Sequence, residues 1–130
     1  MKRREVEILQ KDGIFLVLLA REPQPLSLGR IAREVVYHLP SLCARVGISE
    51  RHFRRVFEQG LGISPKDWLR RERMVAARSR LREGSPIKEV SIDLGFTNSG
   101  MFSREFQWFH GVKPTDFQRK EHRLILEAIG

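Results

Sequence analysis

The sequence predicts an all-α fold, a seven-helix bundle in which two helix-turn-helix units are joined by a long linker helix and preceded by a short N-terminal extension. Three observations predict it: an internal repeat, apolar residues at helical spacing between helix-capping residues, and basic residues concentrated in the middle of the chain. The 130 residues are enough for one ordinary domain or two very small ones. We expect an extension over 1–26, a bipartite domain over 27–120 and a tail over 121–130.

The internal repeat identifies the two units. Six residues of the first half return 49 positions later in an unbroken register. They are Phe53, Arg55, Phe57, Gly62, Pro65 and Asp67, which recur as Phe102, Arg104, Phe106, Gly111, Pro114 and Asp116. Six identities in one register indicate two copies of one supersecondary unit.

The first unit is predicted over 39–59. A short helix over 39–46 ends at Gly47, and Ser49 is placed to cap a second helix that runs to about Gln59. In that second helix, Phe53, Val56 and Phe57 fall at helical spacing and form a buried stripe. The opposite face carries three arginines, Arg51, Arg54 and Arg55.

The linker helix is predicted over 65–83. Pro65 follows the capping residue Ser64, and Gly84 ends the helix. Its 19 residues span about 28 Å at 1.5 Å per residue. Two helices in successive major grooves lie roughly 34 Å apart, so a connector of this length can hold them near that spacing within one chain.

The second unit is predicted over 87–110. A short helix over 87–94 ends at Gly95, and Thr97 or Asn98 caps the next helix. Phe102, Phe106 and Phe109 form its apolar stripe. The other face carries Arg104, near Ser99, Gly100 and Met101.

The two ends of the chain are less specified. The extension forms either a hairpin around Lys11, Asp12 and Gly13 or a short apolar helix over 14–21, since its apolar run is too short to decide. Ser27 is placed to cap the first helix of the bundle, which runs to about Val36. The apolar tail over 124–129 could cover the apolar run of the extension.

Charge and composition exclude several classes of protein. The chain carries net charge +8, and residues 38–120 hold 16 basic against 9 acidic side chains, which favours a polyanion as partner over a solvated helix face of mixed sign. The longest apolar run has seven residues, too few to span a bilayer. With one cysteine, Cys43, and no signal peptide, we expect a cytoplasmic protein.

Catalytic and metal motifs are missing from the sequence. The four histidines, at 38, 52, 110 and 122, lack metal-site spacing, and no GxSxG, P-loop or GxGxxG motif occurs. We therefore expect no cofactor, no metal and no enzymatic activity.

Three segments together resemble a known family. They are "LCARVGISERHFRRVFEQGLGISPKDWL", "RRERMVAARSRL" and "IKEVSIDLGFTNSGMFSREFQWFHGVKPTDFQR", within residues 37–120. They resemble the DNA-binding domain of the AraC/XylS transcriptional regulators. The resemblance implies a bacterial transcription factor that binds duplex DNA, with RNA polymerase as a second candidate partner. It also implies that the third and sixth helices read bases, through Arg51, Arg54, Arg55, Ser99, Gly100, Met101 and Arg104.

The chain departs from the family pattern at four positions. Cys43 and Ser91 stand where alanine is usual, and we interpret both as packing variants. His38 replaces the usual Ser or Thr cap, and Gln118 replaces an arginine, so local cap and backbone contacts should differ. A jelly-roll sensor, frequent upstream in this family, needs on the order of a hundred residues. We expect either a stand-alone monomer or the C-terminal piece of a longer protein, dimeric through an upstream region.

The chemistry of the residues predicts that the two units contribute unequally to base recognition. Arginine can donate two hydrogen bonds to guanine, whereas glycine reads no base and methionine offers only apolar contact, so the first unit should dominate specificity. Arg55 and Arg104 could instead form salt bridges or contact phosphates. Phosphate contacts are expected from Ser49, Lys66, Arg73 and Lys113. The alternative function is a nonspecific basic nucleic-acid-binding protein or chaperone, which the doubled helix-turn-helix disfavours.

Overall fold

The computed structural model describes the backbone of residues 6–11, 14–19 and 26–129, and the side chains of residues 27–129. The elements in chain order are β1 (Val6–Lys11), β2 (Ile14–Leu19), β3 (Leu26–Ser27), α1 (Leu28–Glu34), α2 (Leu39–Val46), α3 (Glu50–Leu61), α4 (Pro65–Arg82), α5 (Ile87–Asp93), α6 (Ser99–His110) and α7 (Pro114–Ile129). The seven helices confirm the predicted all-α bundle with its short N-terminal extension. The chain divides into two compact units, Met1–Glu72 and Arg73–Gly130.

The described part of the extension is a β-hairpin and not the alternative helix. β1 and β2 pair antiparallel, with Val6 opposite Leu19 and Lys11 opposite Ile14. β3 adds a short third strand on the other side of β2. The connecting residues 12 and 13, and residues 20 and 21 at the end of the alternative helix, lie outside the described residues. Within the first unit, β1 contacts α3 and β2 contacts α1.

α1 begins as predicted and ends two residues earlier. The Ser27 hydroxyl accepts a hydrogen bond from the Arg30 amide at 3.3 Å. The helix stops at Glu34 because Val36 and Tyr37 have φ angles of 53° and 58°, in the left-handed region that a helix cannot use. A β-branched residue is strained there, and backbone hydrogen bonds from the Val36 amide to the Arg33 carbonyl at 3.0 Å and from the Tyr37 amide to the Ala32 carbonyl at 2.8 Å hold the turn.

The first helix-turn-helix forms at its predicted positions. α2 ends at Gly47, whose φ of 83° is accessible to glycine at little cost. Ser49 caps α3, which continues two residues beyond the predicted end to Leu61. The core of this unit buries Phe53, Phe57 and Trp68 together with apolar residues of α1 and α2.

The second unit is organised around aromatic residues. Phe102 lies 5.3 Å from Phe96 and 5.8 Å from Phe106 between ring centroids, and Phe106 lies 5.7 Å from Phe117. Asn98, not Thr97, caps α6: its Oδ1 accepts a hydrogen bond from the amide at position 101 at 2.8 Å. Compared with the predictions, α4 and α5 each end one residue earlier, and α7 continues through the predicted tail.

The four departures from the family pattern are accommodated in two ways, by polar contacts at Gln118 and His38 and by burial at Cys43 and Ser91. Gln118 donates from Nε2 to the carbonyl oxygens of Leu81, in the last turn of α4, at 3.1 Å and of Ser85, beyond the end of that helix, at 2.8 Å. His38 at the start of α2 makes no side-chain cap, and its Nδ1 lies 2.8 Å from the Ser41 hydroxyl. Ser91 and Cys43 are buried, as packing variants should be. Burial, followed by the nearby charge of Glu50, raises the pKa of the Cys43 thiol to about 11.

Among the described helices, none combines the length and apolar character that a bilayer span requires.

Candidate nucleic-acid interface

The outward face of α3 is a basic surface on a firmly anchored helix. Phe53 and Phe57 are fully buried on the inner side. Arg51, Arg54 and Arg55 are all exposed on the outer side. Packing therefore fixes the helix while its arginines remain directed to solvent.

Among the described residues, the three arginines have few partners. The Arg55 guanidinium lies 3.5 Å from His52 Nδ1, and no ion pair joins Arg55 to another described residue. Within the described part of the chain, Arg51 and Arg54 also have no acidic partner in ion-pair range. Arginine presents donors only, so this surface suits phosphate oxygens and the acceptor atoms of guanine.

The amino end of α3 lies beside these arginines. The Ser49 hydroxyl accepts a hydrogen bond from the amide of residue 52 at 3.1 Å and thereby satisfies one of the free amides of the first turn. Its oxygen is committed to this cap, although the hydroxyl proton can still be donated to a ligand. Glu50, at the first helical position, adds the only negative charge of the first turn.

The outward face of α6 differs in chemistry from that of α3. Ser99, Gly100, Met101 and Arg104 are all exposed, as the sequence predicts for a reading surface. Arg104 has no ion-pair partner among the described residues. The second unit therefore offers one arginine where the first offers three, accompanied by small and apolar side chains.

Two further residues of α6 belong to the candidate surface, although the predicted site does not include them. Trp108 is 71% exposed and lies one turn beyond Arg104 on the same face. Ser103 is half-buried and stands 49 positions after Arg54. Two sequence signals could have identified them: the repeat register for Ser103, and the helical spacing from Arg104 for Trp108.

The residues expected at phosphates divide into two kinds. Lys66 and Lys113 are exposed, at the starts of α4 and α7. The Arg73 guanidinium instead contacts two residues of the second unit, Glu105 and Phe96. Its Nη2 lies 3.1 and 3.2 Å from the two carboxylate oxygens of Glu105, and its guanidinium covers the Phe96 ring at 4.2 Å.

The features that stand out among the described residues are two interaction surfaces. In residues 27–129, whose side chains are described, no group of three histidine, cysteine or acidic side chains is placed to hold a metal ion. Each unit presents one helix whose outer face carries donors for a polyanion, and both helices begin with a capped first turn. The arrangement can bind phosphate oxygens and base edges.

Comparisons with known proteins agree with this geometry. The family model described as a helix-turn-helix domain matches residues 42–120. The transcriptional activator RhaR of Cronobacter sakazakii is 34% identical over 82 residues, which are 62% of this chain and 29% of that protein. The chain therefore spans less than a third of the length of this relative.

Two solved structures share the fold. One is the C-terminal domain of AraT, a response regulator from Geobacillus stearothermophilus, with a TM-score of 0.60 and 26% identity, covering 78% of this chain and 88% of that one. The other is the DNA-binding domain of AdpA in complex with a target DNA. Its TM-score is 0.59 at 25% identity, and the match covers 72% of this chain and 90% of that one.

Proposed function

The chain belongs to the AraC-type family of helix-turn-helix transcriptional regulators, and from this premise we propose that it binds duplex DNA sequence-specifically and regulates transcription. In this proposal α3 and α6 each insert into a major groove, and the two grooves are adjacent. The protein partner implied by such a role is RNA polymerase, and its cellular site is the nucleoid.

The observation that carries the proposal is the set of three exposed arginines on α3. Arg51 and Arg54 are exposed, and no acidic side chain of residues 27–129 lies in ion-pair range of either, so DNA would not compete with an ion pair to any of these residues. A bidentate contact between arginine and guanine discriminates against the wrong base by about 1–3 kcal/mol. Two or three such contacts are enough to define a short half-site.

Phosphate contacts complete the proposed interface. We assign them to Lys66 and Lys113, which are exposed near helix starts, and to the Ser49 hydroxyl at the cap of α3. Arg73 receives a structural role in this proposal because its guanidinium is held by Glu105 and Phe96. The likeness to the AdpA domain, which was solved with DNA, supports a duplex as the ligand.

The experiment that tests the proposal is a selection of bound duplexes from a random pool of about 30 base pairs at about 150 mM salt. We expect a motif of two blocks whose centres lie about one helical turn apart. An Arg51→Ala, Arg54→Ala variant should lose the first block and keep the second. The charge-matched control replaces two exposed arginines of α1, Arg30→Ala and Arg33→Ala, and should keep both blocks.

Salt dependence separates the alternatives further. If 6–10 phosphates are contacted, affinity should fall by about 10³–10⁵ between roughly 50 and 200 mM salt. A steep salt response without any selected motif, shared by the variant and its control, would identify a nonspecific basic nucleic-acid-binding protein and overturn the proposal.

A further inference from the structure

We propose that the second unit reads a thymine methyl group with Met101, next to a guanine read by Arg104, so that the two half-sites differ in chemistry. This inference rests on the proposed function and specifies the base contacts of α6. It gives Met101, an exposed apolar side chain on a basic protein, a defined ligand.

Met101 lies on the reading face of α6. It is 45% exposed, whereas Phe102 and Phe106 on the inner side are fully buried. Three positions separate Met101 from Arg104, a spacing that places two side chains on one helix face with about 5–6 Å between their Cβ atoms. The first turn of a reading helix is the part that contacts base edges in helix-turn-helix proteins, and Met101 lies in that turn.

The Met101 side chain is held before any DNA arrives. The Thr97 hydroxyl donates a hydrogen bond to its sulfur at 3.1 Å. Its amide donates to Asn98 Oδ1 at 2.8 Å. Methionine is otherwise a flexible side chain, so fixing it in the free protein lowers the entropy lost on binding.

The major groove offers such a side chain one apolar partner. All four bases present hydrogen-bonding atoms at their major-groove edges, but only thymine presents a methyl group there, at C5. Gly100 precedes Met101 and stands 49 positions after Arg51, so no long side chain projects beside Met101 at this point. A Cβ atom at position 100 would lie 3.2 Å from Asn98 Oδ1, which is close enough to disturb the cap.

The spacing on the helix restricts the spacing on the DNA. Base pairs of B-DNA rise about 3.4 Å each. Side chains whose Cβ atoms are about 5–6 Å apart therefore reach bases one or two steps apart. We infer a second half-site in which a thymine lies within two base pairs of a guanine, whereas the three arginines of α3 favour a guanine-rich first half-site.

The test replaces single thymines of the selected duplex by deoxyuridine, which removes only the methyl group. Replacement at one position of the second half-site should lower the affinity about four-fold. This loss is equivalent to about 0.8 kcal/mol, the value for one buried methyl group. Met101→Ala should bind the thymine and uracil duplexes equally. Thr97→Val, which removes the hydroxyl at nearly constant shape, should reduce the thymine preference without abolishing it.

The matched control is Arg54→Ala, which should weaken first-block binding and keep the thymine preference of the second block. Unchanged recognition of the first block by Met101→Ala would show that this variant is folded. If a motif is selected but no thymine responds to deoxyuridine, or if Met101→Ala retains the preference, the inference is overturned while the proposed function stands. If no motif is selected, both the inference and the proposed function are refuted.

Discussion

Replacing Arg73 by alanine should destabilise the second unit more than the loss of any exposed ion pair there. The substitution leaves the Glu105 carboxylate, whose side chain is only 15% exposed, without the guanidinium that lies 3.1 Å from it. It also uncovers the Phe96 ring. Arg73 therefore links α6 to the part of α4 that lies in the second unit.

The magnitude follows from the burial of the pair. Removing one partner of a fully buried pair costs about 3–5 kcal/mol, whereas an exposed pair contributes about 0–1 kcal/mol. The Arg73 side chain is 24% exposed, so we place the loss of the pair at about 2 kcal/mol. Stacking on Phe96 adds about 0.5–1 kcal/mol. We expect the free energy of unfolding to fall by about 2–3 kcal/mol.

The assay is urea unfolding of the full chain followed by far-ultraviolet circular dichroism. The matched control is Arg119→Ala, since Arg119 is exposed and lies 3.8 Å from Asp116 three residues earlier. It should change the free energy of unfolding by less than about 0.5 kcal/mol. A double-mutant cycle with Glu105→Gln should show coupling. Equal losses for the Arg73 and Arg119 variants would refute the reasoning.

Three other predictions concern single side chains. Gln118→Glu should cost more than Gln118→Ala in urea unfolding, because a carboxylate would face the two carbonyl oxygens that the amide now serves, and equal costs would contradict this contact. Burial raises the pKa of Glu72, so its contribution to stability is full at low pH and lost as the pH rises through that pKa. Glu72→Gln should accordingly be more stable than the parent at about pH 7 and lose that advantage at about pH 4, as urea midpoints at the two values would show. DNA should change tryptophan fluorescence through the exposed Trp108 and not through Trp68, which is 2% exposed, so a Trp108→Phe variant that keeps the change would disprove this assignment.

Local chemistry accounts for what was predictable about the helices and their outward faces. A capping serine needs only the amide three residues later, and a glycine turn needs only its own φ angle, so the starts of α1 and α3 and the turn at Gly47 follow from short stretches of sequence. The periodic phenylalanines likewise predict which face of α3 is buried. The repeat register then predicts that the corresponding face of α6 is buried as well.

Contacts between distant residues decided the rest. The run Ile14–Leu19 carries no helical or strand periodicity of its own, and its pairing with β1 made it a strand. The pairing of Arg73 with Glu105 could not be predicted because the two residues are 32 positions apart in the sequence. Gln118 likewise donates hydrogen bonds to carbonyl groups more than 30 positions earlier in the sequence. The sequence by itself determined the helices, their caps and their outward faces, because those depend on neighbours within a few residues. Only the tertiary structure decided which charged and polar groups are already satisfied inside the protein, since their partners come from other elements.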